Sequence, residues 1–325
     1  MSQTIQWGVL GYARIARNHV MPAIQRSRNG RIQALAARDA TRLAEGRQRF
    51  AIPSAYANYE DLLADPEIHA VYIPLPNALH APWAIAALEA GKHVLCEKPL
   101  ALNAAEARRM ADAARANGRW LMEAFMYRYS DRTRQVEKLL RDGRLGDIRH
   151  INASFRFRMS PEAIAQPDVR LVPELGGGAL YDVGVYPLNF LGLVTGGLKP
   201  VSCRAEASFY NGVDMNLSGV LRYENGLIAA IHCGFDAALH VRAEIIGTEG
   251  VLEIPDTFFG NAGELILRTA DQEERIAVAE SHRYQSQVED FADAILLGRE
   301  PRLRLDESLN NLEVLDALYA SLSRP

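Results

Sequence analysis

Three residues in this sequence form a set suited to proton transfer. Lys98 follows a short apolar stretch (HVLC) and precedes Pro99, whereas Asp182 and Tyr186 lie four positions apart in the segment GGGALYDVGVY. Residues four apart in a helix share one face, so the carboxylate and the phenol should lie side by side. A nearby ammonium stabilises a phenolate, which lets a tyrosine act as acid or base closer to neutral pH. We therefore predict Lys98 and Tyr186 as a proton-handling pair, with Asp182 orienting Lys98 or binding a substrate hydroxyl.

Each of these residues also has a purely structural explanation. Asp182 is a suitable carboxylate for the first turn of a helix, Tyr186 suits a core position, and Lys98 suits a solvated strand end. Their occurrence together favours the catalytic interpretation, in which either Tyr186 or Lys98 is the base.

The first part of the chain alternates short apolar strands with amphipathic helices. The predicted strands are 5–10, 32–37, 70–73, 93–96 and 119–122. The predicted helices are 14–27, 40–50, 58–64, 80–90 and 103–117. This alternation is typical of a doubly wound parallel sheet with helices on both faces. It predicts a dinucleotide-binding domain over 1–125, with Lys98 at the carboxyl end of a strand, where ligands bind in such folds.

The rest of the chain, 126–325, is predicted to form a substrate-binding α+β domain. After a helical stretch at 175–194, strands follow one another with short connections, and Asn225-Gly226 suits a hairpin turn. The other predicted strands are 150–158, 201–210, 241–246, 251–254, 264–268 and 275–278, and the final helices are 284–297 and 306–321. Consecutive strands with short links predict a mostly antiparallel sheet.

Composition narrows the class of protein. The chain has 325 residues and a net charge of −4 without a concentrated basic segment, which argues against nucleic acid as a partner. No run of about 20 apolar residues occurs, and the N-terminus lacks the pattern of a signal peptide, so we predict a cytoplasmic protein away from the membrane. Neither the three cysteines nor the histidines show metal-ligand spacing, so no metal is predicted.

A variant of the dinucleotide fingerprint follows the first strand, with Gly11, Ala13 and Ala16 at its small-residue positions. Small residues there allow a tight turn and close approach of backbone amides to a pyrophosphate. The alternative is a tight turn that binds nothing. The residues predicted to contact the cofactor here are Gly11, Tyr12, Ala13, Arg14 and Ile15.

Two further segments should face the same cofactor. Arg38 stands at the end of the second strand, where an NAD-specific enzyme usually has a carboxylate, so a 2′-phosphate and hence NADP are preferred over NAD. A solvated arginine, with Asp39 as the cap of the next helix, is the alternative. In the segment VYIPLPNALH, Pro74 marks a rigid loop from which Asn77 and His80 could reach the ribose or nicotinamide; helix capping is an equal alternative for Asn77.

These motifs, in their order and spacing, resemble the Gfo/Idh/MocA oxidoreductases. The fingerprint is followed by PLPNALH, by AGKHVLCEKPLA and by LGGGALYDVGVYPLNFL. Tyr186 at a position where many members have histidine, together with EAFMYRY, is similar to the branch of dimeric dihydrodiol dehydrogenases and NADP-dependent D-xylose dehydrogenases. The resemblance implies a Rossmann domain and an α/β domain with a large open antiparallel sheet, which often forms a homodimer or higher oligomer.

The resemblance also implies an activity and further site residues. We expect an NAD(P)-dependent oxidoreductase that transfers hydride to or from a secondary alcohol or hemiacetal carbon of a sugar, cyclitol or vicinal diol. Glu97 and Lys98 should lie beside the cofactor, as should Arg170 and Tyr284, and a cis Lys98–Pro99 bond is expected. A helix-capping aromatic is an equal alternative for Tyr284. Asp168 replaces an asparagine that is frequent in the branch.

Two alternatives remain open from the sequence. Arg128, just after the last Rossmann strand, suits either a substrate contact or a structural role where the chain crosses between domains. The whole protein suits either an enzyme or a non-catalytic NAD(P)-sensing regulator on the same fold, although Lys98, Asp182 and Tyr186 favour the enzyme.

Overall fold

A computed structural model describes residues 4–166 and 168–322, which form two compact units. The N-terminal unit comprises the described residues up to Ala101, Ala105–Met126 and His282–Asp306. The C-terminal unit comprises Leu102–Ala104, Tyr127–Ser281 and the described residues from Glu307 onward. The domain division predicted from the sequence, 1–125 and 126–325, stays a prediction.

The N-terminal unit contains a six-stranded parallel sheet in the order β3-β2-β1-β4-β5-β6. Its strands are β1 (Ile5–Leu10), β2 (Gly30–Ala36), β3 (Ser54–Tyr56), β4 (Ala70–Ile73), β5 (His93–Cys96) and β6 (Leu121–Glu123). Its helices are α1 (Met21–Arg26, after a π-helical turn at Ala16–Val20), α2 (Ala40–Arg49), α3 (Tyr59–Ala64), α4 (His80–Glu89) and α5 (Ala104–Ala116). The predicted doubly wound α/β fold is confirmed; only the three-residue edge strand β3 was not predicted.

The strand order reverses between β1 and β4. Strands β2 and β3 lie on one side of β1, and β4 to β6 lie on the other. Every residue of β4 is buried, as expected for a strand covered on both faces. In open α/β sheets, ligands bind beyond the carboxyl ends of the strands at such a reversal, so this edge is the place to look for a site.

The C-terminal unit contains an eight-stranded sheet in the order β14-β13-β12-β11-β7-β10-β9-β8. Its strands are β7 (Ile148–Arg158), β8 (Ser202–Tyr210), β9 (Val213–Arg222), β10 (Ile228–Gly234), β11 (Asp236–Gly247), β12 (Val251–Pro255), β13 (Gly263–Arg268) and β14 (Glu273–Val278). Three described helices of this unit precede β8 in the sequence: α6 (Asp131–Arg141), α7 (Pro161–Ile164) and α8 (Val185–Thr195). A π-helical turn at Leu180–Gly184 leads into α8. Among the described strands of this sheet, only β7 and β10 pair in parallel, which confirms the predicted mostly antiparallel sheet.

Side chains alternate in burial along the central strands of this sheet. Ile231 and Ala229 of β10 are fully buried, whereas Ile228 on the other face is 42% exposed. Val220 of β9, on that same face, is 52% exposed. The second face therefore carries solvent-exposed apolar side chains among polar ones, and we call it the open face.

Two helices end the chain, α9 (Arg283–Leu297) and α10 (Leu305–Ser321). Helix α9 belongs to the N-terminal unit, where the Asn29 side chain donates to the Glu289 carbonyl at 2.9 Å and to Asp293 at 2.7 Å. Its Phe291 ring packs against Trp7 of β1 at 5.8 Å. Among the described residues, no helix is long and apolar enough to cross a membrane.

Candidate active site

The turn after β1 has the backbone shape that its glycine predicts. Gly11 has a φ of +105°, which disfavours any side chain, and its N–H donates to the Ala36 carbonyl at 2.8 Å. The helix starts at Arg14, and Arg17 N–H donates to the Ala13 carbonyl at 3.0 Å. The turn thus directs the first N–H groups of a helix toward the carboxyl edge of the sheet, as phosphate binding requires.

The Tyr12 side chain is used in the fold. It is 3% exposed, packs edge-on against Phe50 at 6.4 Å, and donates from its hydroxyl to Glu45 at 3.2 Å. Gly46 of α2 gives this ring its space, since a Cβ there would lie 3.0 Å from it. If Tyr12 contacts a cofactor, its backbone must therefore make the contact, because the ring is buried in the core.

An open cleft of about 490 Å³ adjoins this turn. It is lined by Gly11, Tyr12, Ala37, Arg38, Asp39, Ala40, Arg42 and Tyr59. Asp39 caps α2, accepting from the backbone N–H groups of Thr41 at 2.9 Å and Arg42 at 3.0 Å. The carboxylate nearest the cleft is thus engaged in capping, and arginine side chains supply the charge of its wall.

Arg42 is a member of this wall that the sequence analysis missed. Its guanidinium donates to the Tyr12 carbonyl at 2.6 Å, so that it reaches from α2 to the fingerprint turn. Burial raises the pKa of Tyr59, and the charges of Arg38 and Arg42 both act to lower it. Both cations therefore face the same phenol. The position of Arg42 in the first turn of α2, three residues after its N-cap Asp39, was the available signal.

The three residues of the loop after β4 that were predicted to contact the cofactor are not equally buried. Pro74 is buried, and Asn77 is half-buried in a single 3₁₀ turn, Asn77–Leu79. His80 is fully buried: Nδ1 lies 2.8 Å from the Pro99 carbonyl oxygen and Nε2 lies 2.8 Å from that of Leu75. His80 thus faces backbone on both sides, which argues against the predicted cofactor contact and for a role in fastening two loops.

The strand end that carries Lys98 is held by carboxylates. The Tyr72 hydroxyl of β4 donates to Glu97 at 2.6 Å. Leu100 N–H donates to the buried carboxylate of Glu123, on β6, at 2.9 Å. The Lys98–Pro99 peptide bond is cis, as expected. The loop is therefore tied to both neighbouring strands; neither Tyr72 nor Glu123 was predicted.

Tyr284 of α9 lies in the electrostatic field of the same loop. Burial raises the pKa of Tyr284; Arg283 acts to lower it, Glu97 to raise it, and Lys98 to lower it. The Tyr284 ring stacks on His19, with centroids 4.9 Å apart. The N-terminal unit thus brings Glu97, Lys98 and Tyr284 together at one strand end. His19 was not singled out from the sequence.

In the C-terminal unit, two of the three consecutive glycines, Gly177 and Gly178, pack closely against the Arg170 backbone. Gly178 N–H donates to the Arg170 carbonyl at 2.9 Å, and a Cβ at Gly177 would lie 2.7 Å from that oxygen. Gly178 also has a φ of +121°. Gly177 and Gly178 are therefore required by the close approach of the two backbone segments.

The Arg170 guanidinium is clamped by Asp168. Two nitrogens donate to the carboxylate at 2.9 and 2.6 Å, and the guanidinium carbon lies 5.6 Å from the Phe157 ring centre. Asp168 raises the pKa of Arg170, and the charge of Asp182 adds to this effect. The structure therefore brings together Asp168, Arg170 and Asp182.

Tyr186 lies in an aromatic cluster at the start of α8. It is 6% exposed, with ring centroids at 5.4 Å from Phe155, 5.5 Å from Phe258 and 6.0 Å from Tyr127. These contacts suit a core residue and also fix the position of a catalytic phenol. The assignment of Tyr186 and Lys98 as the catalytic pair stays a prediction.

Arg128 is 4% exposed and forms an ion pair with Glu307 at 2.8 Å. The same nitrogen donates to Asn189 at 3.3 Å, and Asn189 also accepts from the Tyr127 hydroxyl. These buried contacts favour the structural alternative for Arg128, and its substrate contact stays a prediction. Within 4–166 and 168–322, no group of three or more His, Cys, Asp or Glu side chains is placed to hold a metal ion.

The fingerprint turn, the arginine-lined cleft and the strand end together define a dinucleotide-dependent oxidoreductase. Residues 5–125 match the oxidoreductase family with an NAD-binding Rossmann fold, and residues 133–253 match the Gfo/Idh/MocA C-terminal domain. The chain belongs to the Gfo/Idh/MocA family.

Known relatives match between three quarters and nearly all of the chain. A D-xylose 1-dehydrogenase (NADP(+)) of Haloferax volcanii is 37% identical over 98% of this chain and 97% of its own. A trans-1,2-dihydrobenzene-1,2-diol dehydrogenase of Mus musculus is 35% identical over 77% of this chain and 74% of its own. The crystal structure of a 3-ketoreductase from Actinomadura kijaniata with NADP and TDP-benzene is 32% identical, with a TM-score of 0.90 over 98% of both chains.

The burial of His80 predicts a pH-dependent stability. Burial lowers the pKa of His80 to about 4 from an ordinary 6.5, so the unfolded chain binds a proton that the folded one does not. The free energy of unfolding should therefore fall as the pH drops from about 6.5 to 4, by about 3 kcal/mol from this residue. Urea unfolding across this range should show a shallower loss for His80→Gln.

The exposed residue His282 provides the matched control, and His282→Gln should keep the wild-type acid slope. NADPH affinity of His80→Gln should stay within about twofold of wild type. A full acid slope together with weakened NADPH binding would instead show that His80 contacts the cofactor.

Proposed function

We propose that this protein is an NADP-preferring dehydrogenase or reductase acting on a secondary alcohol or hemiacetal carbon of a sugar, cyclitol or vicinal diol. The observation that carries the proposal is the grouping of Glu97, Lys98 and Tyr284 after β5. This strand end lies close to the reversal of strand order between β1 and β4. The relatives named above are a D-xylose 1-dehydrogenase, a trans-1,2-dihydrobenzene-1,2-diol dehydrogenase and a 3-ketoreductase, which supports a sugar or diol as the substrate class.

The cofactor site fits a nucleotide with an additional phosphate. Gly11 opens the turn to a pyrophosphate, and bound NADP supplies a nicotinamide that accepts or donates the hydride. Arg38 and Arg42 would bind the 2′-phosphate, since guanidinium groups form charge-assisted hydrogen bonds with phosphate oxygens. Asp39, the carboxylate that could accept from a ribose 2′-hydroxyl, is engaged in capping α2.

Lys98 and Tyr186 are proposed to transfer the proton of the substrate hydroxyl. Hydride loss from a carbinol carbon requires the hydroxyl proton to leave, and the base works best when its pKa is near the working pH. An ammonium beside a phenol favours the phenolate, so either residue can hold the proton during turnover. Asp182 would orient the substrate hydroxyl, with Arg170 and Asp168 as its neighbours in the C-terminal unit.

Turnover by variants tests the catalytic pair. Lys98→Met and Tyr186→Phe should each lower kcat with NADP on the best substrate of a sugar and diol panel by about 100- to 10,000-fold, because general acid–base catalysis is lost. Tyr127→Phe removes a buried hydroxyl from the same aromatic cluster and should keep the wild-type rate. Full rates in both site variants would remove the pair from the mechanism, and bound NADPH that no substrate consumes would favour the regulator.

Cofactor preference depends on the two arginines. Arg38→Asp and Arg42→Ala should each weaken NADPH binding by about tenfold or more, while NADH binding changes little. Arg47→Ala, in the last turn of α2 and outside the wall of this cleft, is the control and should bind both cofactors normally. Fluorescence titration with both cofactors measures the effect; equal losses for NADPH and NADH would contradict a 2′-phosphate contact.

The open face of the eight-stranded sheet is proposed as the homodimer interface. Val220 and Ile228 expose apolar surface there, which a second copy would bury. Val220→Asp should shift the protein toward the monomer in sedimentation velocity. Leu297→Asp, at a 71% exposed site of the N-terminal unit, should leave the distribution unchanged. A monomeric wild type, or a dimer untouched by Val220→Asp, would contradict this interface.

A further inference from the structure

The helical segment that carries Asp182 and Tyr186 begins without a capping side chain of its own. Its first residue is Leu180, and the preceding Ala179 has no side-chain acceptor for the backbone N–H groups of the first turn. Asp214 of β9 supplies this acceptor, because its Oδ2 accepts from Leu180 N–H at 2.7 Å. A carboxylate at this end also interacts favourably with the helix dipole.

The Asp214 carboxylate is held at both oxygens. Oδ1 accepts from the hydroxyl of Tyr319, on α10, at 2.8 Å, and Ala179 N–H provides a further hydrogen bond. Gly178 lies so close that a Cβ on it would collide with Oδ1. The glycine-led turn and the carboxylate therefore fit together only in this arrangement.

Keeping this carboxylate ionised is costly to the folded state. Asp214 is 2% exposed, and burial raises its pKa from an ordinary 3.8 to about 6. Between these values the folded protein binds more protons than the unfolded chain, so stability falls as the pH rises through the window. Above it, a neutral side chain of the same shape would make the protein more stable. Local departures from stability of this kind tend to mark functional sites.

Among the described residues, the titratable groups that face Asp214 are Tyr319 of α10 and Cys233 of β10. Burial raises the pKa of both well above their ordinary values, and the charge of Asp214 adds to this effect. Both stay neutral while Asp214 loses its proton. A transition near pH 6 in this region therefore belongs to Asp214.

We propose that Asp214 is a positioning residue for the reaction, holding the start of the helical segment and thereby setting the orientation of Asp182 and Tyr186. This inference rests on the proposed function, in which those two side chains handle substrate and proton. Only the ionised carboxylate accepts from the segment and from Tyr319 at the same time. A protonated one turns one oxygen into a donor and loses its charge toward the helix N-terminus.

Asp214→Asn tests the inference while preserving the fold. The amide oxygen still accepts from Leu180 N–H, and the amide nitrogen donates to the Tyr319 oxygen. At pH 8 we expect kcat to fall about tenfold, because a small misplacement of reacting groups is costly to rate. NADPH affinity should not change, and Tm should be equal or higher. A residue of structural importance alone would lower Tm instead.

The pH profile of kcat gives the sharper readout. Wild type should lose activity below about pH 6, and Asp214→Asn should lack this acid limb. Tyr319→Phe removes a hydrogen bond that favours the ionised carboxylate, so its acid limb should move to higher pH, with a near-normal rate at pH 9. Tyr223→Phe, at another buried tyrosine of the unit, should leave the limb in place.

The outcomes separate this inference from the function on which it rests. A slow Tyr186→Phe together with an Asp214→Asn that keeps the wild-type rate and acid limb would overturn the positioning role alone. Full activity of Tyr186→Phe and Lys98→Met would overturn the proposed function, and the positioning role with it.

Discussion

The loop after β5 depends on buried hydrogen bonds to groups of its neighbours, and the position of Lys98 depends on that loop. Tyr72 binds Glu97 from one adjacent strand, Glu123 binds Leu100 N–H from the other, and His80 lies against the Pro99 carbonyl. Such bonds are strong because water is excluded, and costly to break because a partner would be left buried. These hydrogen bonds form because β4 and β6 lie on either side of β5 in the parallel sheet. The position of Lys98 therefore depends on the strand order.

The C-terminal unit positions its predicted site residues through close backbone packing together with one buried carboxylate. Glycines at 176–178 allow the chain to pass within van der Waals contact of the Arg170 backbone, and Asp214 caps the helix that follows. Gly184, inside that helical segment, leaves room for Cys233 of the sheet. Each unit therefore holds a short polar segment in place through close packing and buried hydrogen bonds.

The sequence predicted well the elements with a strong local pattern, and it missed weakly patterned elements and residues whose partners are distant in the chain. Strands β1, β4 and β5 can be predicted from their apolar runs, because both of their faces are buried. Strand β3 is half-buried and three residues long, so no pattern marks it. Helix α6 was missed, although Ser130 caps it and Lys138 and Arg141 lie in its last turn, because most of its residues are polar. Asp214, Arg42 and Tyr72 gain their importance from partners far away in sequence, which composition and spacing do not reveal.

Asp39 caps α2 and stands close to the position where a carboxylate would contact a cofactor ribose. A carboxylate after β2 would ordinarily accept hydrogen bonds from a ribose, but Asp39 stands one position later and accepts instead from the first N–H groups of α2. An N-cap of this kind contributes about 1 kcal/mol to helix stability, so it competes effectively with a solvent-exposed ligand contact. The position before it is then open to a cation, and Arg38 fills it. The start of α2 adds a second cation, Arg42, on the same wall, so that the helix cap and both arginines proposed to bind the phosphate lie within one short segment.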